Sequence, residues 1–263
     1  MLHINHYYRP DTLEEAWQLR QKRGSAVLGG TGWLRLGEHT IQHAIDLSSL
    51  GLDYIREDEN GFLIGAMTTL RTLECCKELN DAFDGGFVKA VEHIVGVQFR
   101  NCATIGGSVY GRFGFSDVLT LLLALDAEVH LYREGWVPIV KFAKRSGEAD
   151  ILTEIRIRKN RRVAYLSERL NANDFPACAV AVSRGEEGWQ CVIGARPCRA
   201  KLVKLPDDLD GCDRFVLQKI AQKAAGSVTY GGGMRGGPAY RQAVAAVLIR
   251  RGIEALYEKG GQA

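Results

Sequence analysis

Two short glycine loops constrain this chain more than any other feature. Leu28-Gly29-Gly30-Thr31-Gly32-Trp33 follows a predicted strand, and Thr104-Ile105-Gly106-Gly107-Ser108 lies further along the chain. Glycine adopts positive φ and has no Cβ to keep a ligand away from the backbone. Successive backbone N–H groups in such turns form a concave site for phosphate oxygens. Each loop alone is more often a tight turn, but together they predict two backbone sites that hold a diphosphate from both sides.

Composition excludes several other classes of function. The chain has 263 residues, and 34 Lys and Arg against 31 Asp and Glu give a net charge of +3. That balance is too mild to indicate a nucleic-acid partner or binding to an acidic membrane surface. The start has no signal-peptide pattern, and the longest apolar run ends at Asp126, well short of a membrane span. We therefore expect a cytoplasmic protein that contacts neither nucleic acid nor membrane.

Residues that carry metal or acid–base chemistry are scattered. None of the seven cysteines forms a C-x-x-C pair, and the six histidines have no convincing ligand spacing. No Ser-His-Asp set and no carboxylate pair is evident. We predict neither a metal site nor a catalytic side chain, a pattern that suits a chain whose cofactor supplies the reactive atoms.

Hydrophobic periodicity predicts a mixed helix and sheet protein. A capping box at Thr12 and Glu15 predicts the first helix. Further predicted strands are 26–28, 43–47, 52–56, 62–64, 129–132, 152–157, 163–166, 177–183 and 190–195, and further predicted helices are 69–79, 87–94, one that begins at Ser116-Asp117, 215–225 and 240–258. A basic run predicts a boundary between an α/β domain over 1–158, split near 53, and an α+β domain over 159–263.

A third glycine-rich segment fits the G-x-G-x-x-G pattern at Gly231, Gly233 and Gly236. A dinucleotide fingerprint has to follow a strand within a βαβ unit. The preceding stretch here is helical in pattern, so the segment predicts a flexible loop between helices, with a nucleotide site as the alternative.

One longer string resembles a known family. Arg100-Asn101-Cys102-Ala103-Thr104-Ile105-Gly106-Gly107, followed by Ser116-Asp117 and Leu122-Leu123-Ala124-Leu125-Asp126-Ala127, resembles the FAD-binding (medium) subunits of molybdenum hydroxylases, of the xanthine dehydrogenase and carbon monoxide dehydrogenase type. The first glycine loop, the opening Tyr8-Arg9-Pro10, and Ala239-Tyr240-Arg241 extend the resemblance along nearly the whole chain.

The resemblance implies an α+β fold: a two-part FAD-binding domain of the vanillyl-alcohol-oxidase type, followed by a smaller domain of antiparallel sheet and helices. FAD is the implied cofactor. Residues 28–33 and 104–108 would hold it, largely through main-chain N–H groups. Ile94 would supply an apolar contact. Asp117 would accept hydrogen bonds from cofactor hydroxyl groups, although it also suits the start of a helix.

The implied function is that of an electron relay in a xanthine dehydrogenase-like enzyme. A large subunit would carry the molybdenum cofactor, and a small subunit with [2Fe–2S] clusters would deliver single electrons. The FAD of this chain would then pass a hydride from N5 to NAD⁺. Two alternatives stay open: a non-catalytic FAD-binding or assembly protein, and a stand-alone flavin oxidase of the same superfamily.

The chain departs from the family pattern at three places. Gly32 and Trp33 stand where Asp is common, Ser108 stands where Asn is common, and the loop Tyr110–Phe115 is aromatic rather than small and polar. The rings of Trp33, Tyr110 and Phe113 either lie against the cofactor or pack within the protein. Valine at Gly30 or Gly106 is expected to abolish FAD retention and leave a folded chain, because a side chain would block the phosphate.

Overall fold

The computed structural model describes residues 1–209 and 211–258. Residue 210 and residues 259–263, which belong to the predicted C-terminal domain, lie outside the described residues. The helices are α1 (Leu13–Arg20), α2 (Leu70–Cys75), α3 (Lys77–Ala82), α4 (Gly86–Val91), α5 (Val97–Arg100), α6 (Ile105–Tyr110), α7 (Asp117–Ala124), α8 (Ile139–Phe142), α9 (Arg214–Gly226) and α10 (Pro238–Glu258). The strands are β1 (His3–Tyr8), β2 (Ser25–Leu28), β3 (Thr40–Asp46), β4 (Ile55–Glu57), β5 (Gly61–Gly65), β6 (Glu128–Leu131), β7 (Gly135–Pro138), β8 (Leu152–Arg158), β9 (Arg161–Glu168), β10 (Cys178–Gly185), β11 (Gly188–Gly194) and β12 (Lys201–Lys204).

The chain divides into two compact units. The first contains residues 1–73, 97–111 and 126–157, and the second contains 74–96, 112–125 and 158–263. Both units are therefore built from separate stretches of chain. The domain division expected from the sequence, with its boundary after residue 158, stays a prediction, because a compact unit is not by itself a folding domain.

Two sheets form the framework of the first unit. Strands β1, β3 and β2 make a parallel sheet in that order, and β4-β5-β8-β6-β7 make the other. Helix α1 packs its buried residues Ala16 and Leu19 with Ile45 of β3 and with Leu47, which follows that strand. The Thr12 side chain accepts a hydrogen bond from the Glu15 N–H (3.2 Å), the cap that the sequence predicts.

The second unit is built on the antiparallel sheet β12-β11-β10-β9. Its strands alternate between two buried faces. Val180, Val182 and Ile193 pack with helices α9 and α10. On the other side Ser183 and Gln190 donate hydrogen bonds to the carbonyl of Ala124, at the end of α7 (2.6 and 3.0 Å).

Most predicted elements are confirmed, and so is the mixed α+β class. Two predictions, one of a helix and one of a loop, need correction. The helix predicted over 69–79 is broken at Cys76, whose extended backbone (ψ 105°) separates α2 from α3. The second glycine loop is not a loop: Ile105 to Tyr110 form α6. No helix in the described part of the chain is both long and apolar enough to cross a membrane.

Candidate cofactor site

The first glycine loop begins where β2 ends and turns through two left-handed residues. Gly30 has φ +74° and Thr31 has φ +55°. The N–H groups of Gly29, Gly30, Thr31 and Gly32 donate to no acceptor among the described residues. Four successive unused donors in such a turn form a nest that suits an anion. The left-handed Thr31 is unusual, because its branched side chain makes this conformation costly.

The second glycine loop uses its N–H groups within the protein. The Ile105 and Gly106 N–H groups donate to the carbonyls of Thr68 and Ala66 (both 2.9 Å). The Gly107 N–H donates to the Thr104 Oγ1 (3.1 Å), which caps α6. The Ser108 N–H donates to the Thr104 carbonyl (3.1 Å). Within 104–108 only the Thr104 N–H has no acceptor in the described structure. The expectation that this loop presents bare amides is therefore wrong for residues 105–108.

The two loops meet backbone to backbone. A Cβ at Gly107 would lie 2.5 Å from the Gly29 carbonyl oxygen, and a Cβ at Gly29 would lie 3.3 Å from the Gly107 Cα. A Cβ at Gly30 would overlap the Cys102 carbonyl oxygen and lie 2.7 Å from the Ala103 Cα. The second loop and the residues before it thus pack directly against the backbone of the first loop.

This packing corrects the expectation for valine at Gly30 and Gly106. A Cβ at Gly106 would lie 2.5 Å from the Ala66 carbonyl oxygen. Backbone atoms cannot move aside as the end of a flexible side chain can. Both glycines are needed for chain packing, so valine would disrupt the framework of the site and not only the approach of a phosphate.

Phe99 explains one departure from the family pattern, the glycine at position 32, and apart from that departure no signal in the sequence points to Phe99. A Cβ at Gly32 would lie 2.5 Å from the Phe99 Cζ, so the ring occupies the space that any side chain at position 32 would need. The Arg35 guanidinium lies 5.9 Å from the centre of the same ring. Trp33 is 43% exposed.

Ile94 and Asp117 belong to the second unit, whereas both glycine loops belong to the first. Ile94 is partly buried, and its N–H donates to the Val91 carbonyl (2.8 Å). Asp117 is 5% exposed and lies in the first turn of α7, but the cap of that helix is Ser116, whose side chain accepts from the Leu119 N–H.

The Asp117 carboxylate is held by two side chains on one oxygen. The Tyr165 hydroxyl and the Arg169 Nη2 (2.7 Å) both donate to Oδ1, and Oδ2 accepts from no described donor. Burial raises the pKa of Asp117, while the Arg169 charge and the Tyr165 hydrogen bond act in the opposite direction. Both described donors to this carboxylate therefore use the same oxygen.

The aromatic loop after α6 is packed within the protein. The Tyr110 hydroxyl, in the first unit, donates to the carbonyls of Glu148 (2.9 Å) and Asp150 (3.0 Å). In the second unit the Phe113 and Phe115 rings stack with centres 5.1 Å apart, and Phe113 is 40% exposed. Packing within the protein therefore accounts for Tyr110 and Phe115.

Comparison with known proteins decides the family. The family described as the FAD binding domain in molybdopterin dehydrogenase matches residues 2–158, more than half of the chain. The chain belongs to this family. The resemblance stated from the sequence is confirmed, and so is FAD as the cofactor. The bare amides at Gly29–Gly32 fit the diphosphate of that cofactor.

Individual relatives match over nearly the full length. The carbon monoxide dehydrogenase medium chain of Afipia carboxidovorans is 25% identical over 94% of this chain and 95% of its own. The YgfM protein of Escherichia coli strain K12 is 25% identical over 94% of both chains. A crystal structure of a Cu,Mo carbon monoxide dehydrogenase shares the fold with a TM-score of 0.85 at 24% identity, over 97% of this chain and 98% of that one.

These findings confirm an oxidoreductase subunit of the molybdenum hydroxylase class. The assignments of residues 28–33, Ile94, 104–108 and Asp117 as cofactor contacts stay predictions.

Proposed function

We propose that this chain is the FAD-binding electron-transfer subunit of a xanthine dehydrogenase-like molybdenum hydroxylase. A large partner subunit carries the molybdenum cofactor, and a small partner subunit carries [2Fe–2S] clusters. FAD held by this chain would supply the redox chemistry between those clusters and NAD⁺. The observation that carries the proposal is the run of four unused N–H groups at Gly29–Gly32.

The residues of this chain bind and orient the cofactor. The first loop presents its N–H groups to the diphosphate, and the second loop fixes their direction through the close contact of Gly29 with Gly107. Because this loop is held by backbone contacts, little ordering is needed when the anion arrives. In the second unit Asp117 offers Oδ2 to a cofactor hydroxyl, while Arg169 and Tyr165 hold its other oxygen.

Flavin content and reduction by NADH test this proposal. The purified chain is expected to be yellow, to be reduced by NADH in an anaerobic stopped-flow experiment, and to be inert toward purines without its partners. Oxidation of a substrate by the isolated chain would instead support a stand-alone oxidase. A colourless chain that ignores added FAD would support an assembly protein.

A pair of variants tests the role of the first loop. Thr31→Asp places a carboxylate beside the bare amides, and we expect FAD affinity to fall roughly tenfold or more. Thr31→Asn has nearly the same size without the charge and is the matched control. The Thr31 side chain makes no hydrogen bond among the described residues, so neither variant removes one. Equal FAD affinity in both variants would contradict a phosphate site at this loop.

A further inference from the structure

The glycine-rich segment between α9 and α10 has a set of unused donors of its own. The N–H groups of Gly232, Met234, Arg235 and Gly237 donate to no acceptor among the described residues, whereas Gly233 and Gly236 pair with each other in an isolated antiparallel bridge. The loop is closed by the Gly236 N–H, which donates to the Gly233 carbonyl (3.1 Å). Met234 is 92% exposed, so the loop is open to solvent. The segment lies between two helices, as predicted, and is not part of a βαβ unit.

The segment leads into the longest helix among the described residues. Helix α10 has 21 residues and no acidic residue in its first turn. Gly237, just before it, has no side chain that could cap the helix. The Ala239 and Tyr240 N–H groups also lack acceptors in the described structure. A long helix concentrates partial positive charge at this end, and here no side chain of its first turn offsets it.

Arg241 gives a second and independent observation. Its side chain is buried, with the residue 3% exposed. Nη1 donates to the carbonyls of Ala177 and Ala195 (2.8 Å for the latter), and Nε donates to the Gly236 carbonyl (3.1 Å). No described carboxylate pairs with this cation, and Nη2 donates to no described acceptor. Burial lowers the pKa of Arg241, as expected for a cation without an anionic partner.

The unused Nη2 of Arg241 lies toward the glycine segment. It is the nearest heavy atom to a Cβ placed at Gly233, at 3.8 Å. This guanidinium group and the bare amides of the segment therefore adjoin the same space.

Arg196 is a second buried cation at this segment. It is 8% exposed, and its own carbonyl accepts from the Gly231 N–H (2.8 Å). Its guanidinium donates to the Arg199 carbonyl (2.8 Å) and to the carbonyl of Thr229, and to no described carboxylate.

Two other arginines of the same unit each have a carboxylate partner that offsets their charge. Arg169 pairs with Asp117 (2.7 Å), and Arg235 pairs with Asp174 (2.5 Å). A buried charge is costly unless an opposite charge lies beside it. Arg196 and Arg241 therefore leave positive charge beside the loop that no described side chain neutralises.

We propose that residues 231–237, the start of α10 and the guanidinium groups of Arg196 and Arg241 form a binding site for a phosphate group. A phosphate carries negative charge and several acceptor oxygens, which suit two cations and a row of N–H groups. The phosphate comes either from a nucleotide, such as the NAD⁺ of the proposed reaction, or from free inorganic phosphate. The residues of this site are different from those of the FAD loop and belong to the second unit.

Isothermal titration of the full chain with inorganic phosphate, ADP and NAD⁺, at constant ionic strength, tests the site. The titrations are carried out with saturating FAD, which occupies the first glycine loop, so that the measured phosphate binding does not come from that loop. Saturable binding beyond a matched chloride titration is expected. ADP or NAD⁺ binding roughly tenfold tighter than inorganic phosphate identifies a nucleotide, and equal affinities identify free phosphate. Absence of saturable binding by all three would overturn the proposal.

Variants assign the signal to this segment, even if the chain does not bind FAD. A side chain fits at Gly233, because no other residue's heavy atom lies within 3.4 Å of a Cβ there. Gly233→Asp supplies a carboxylate near Arg241, and we expect it to abolish phosphate binding and raise Tm in phosphate-free buffer. Gly233→Asn, equal in size but neutral, should lose far less affinity and gain no Tm.

Arg241→Gln should weaken phosphate binding roughly tenfold or more. If that variant does not fold, the Gly233 pair still decides. Unchanged phosphate affinity in Gly233→Asp would refute the site, whatever the outcome of the flavin experiments.

Discussion

The first glycine loop has four consecutive N–H groups without an acceptor in the described part of the chain, whereas the second donates four of its five N–H groups to oxygens of the protein. The two segments have nearly the same composition. In the second, Thr104 precedes the glycines, so its hydroxyl can cap the helix that they enter. In the first, Thr31 follows Gly29 and Gly30, sits in the left-handed region, and its hydroxyl caps no helix in the described structure. The order of threonine and glycine thus separates the supporting loop from the loop that can bind an anion.

The largest effect is expected where the loops touch. Gly30→Ala combines a φ of +74° with overlap of the Cys102 carbonyl, so the free energy of unfolding should fall by about 2–4 kcal/mol. Urea denaturation of the FAD-free chain measures this. Gly147→Ala is the control, since nothing lies within 4 Å of a Cβ there. If Gly30→Ala loses FAD binding with unchanged stability, Gly30 is needed only for the approach of FAD and not for chain packing.

A smaller effect should come from the contact of Gly32 with Phe99. Gly32→Ala pushes a Cβ against the ring and should cost about 1–3 kcal/mol. Phe99→Leu should recover part of that cost, with a coupling energy of about 1–2 kcal/mol in a double-mutant cycle. Additive effects would mean that the ring does not dictate glycine at position 32.

The cap of the second loop should contribute about 1 kcal/mol. Thr104→Ala removes the acceptor for the Gly107 N–H (3.1 Å), while Thr104→Ser keeps it. Thermal unfolding of the two variants is the measurement. Thr31→Ala in the first loop removes no hydrogen bond, so a loss as large as that of Thr104→Ala would contradict the assigned difference between the loops.

The smallest expected change is a gain. Asn tolerates the left-handed region far better than the branched Thr, so Thr31→Asn should stabilise the FAD-free chain by about 0.5–1 kcal/mol. Chemical denaturation can resolve this difference. A decrease in stability would indicate that Thr31 makes favourable contacts that outweigh its backbone strain.

Local sequence signals predicted most of the framework. The Thr12 cap, the strand before the first loop and the two C-terminal helices follow from patterns within a few residues. Strand β1 was missed because its sequence shows no alternation of apolar and polar residues. Five of its six residues are exposed in the structure, so neither face of the strand needs to be apolar. Helix α6 was missed because paired glycines disfavour a helix, and the contacts that support it, with Thr68 and Ala66, come from a distant part of the chain.

The candidate cofactor site could be predicted only in part, because sequence patterns report local structure and not the contacts between distant segments. Its glycines are visible in the sequence, but the nearness of Gly30 to Cys102 depends on how distant segments meet. The role of Phe99 is indicated in the sequence only by the glycine at position 32, where the family has another residue. The buried charges of Arg196 and Arg241 have no local signature, because what matters is the absence of a carboxylate beside them in the described structure.

Strand β8, which ends at Arg158, lies between β5 and β6 in the five-stranded sheet. The middle of that sheet is thus the last of its strands to be synthesised. On the ribosome, the β4–β5 hairpin and the β6–β7 hairpin must wait, unjoined, until this strand emerges. A nascent chain that stalls before it exposes open strand edges, so chaperone demand during translation should peak just before this strand emerges.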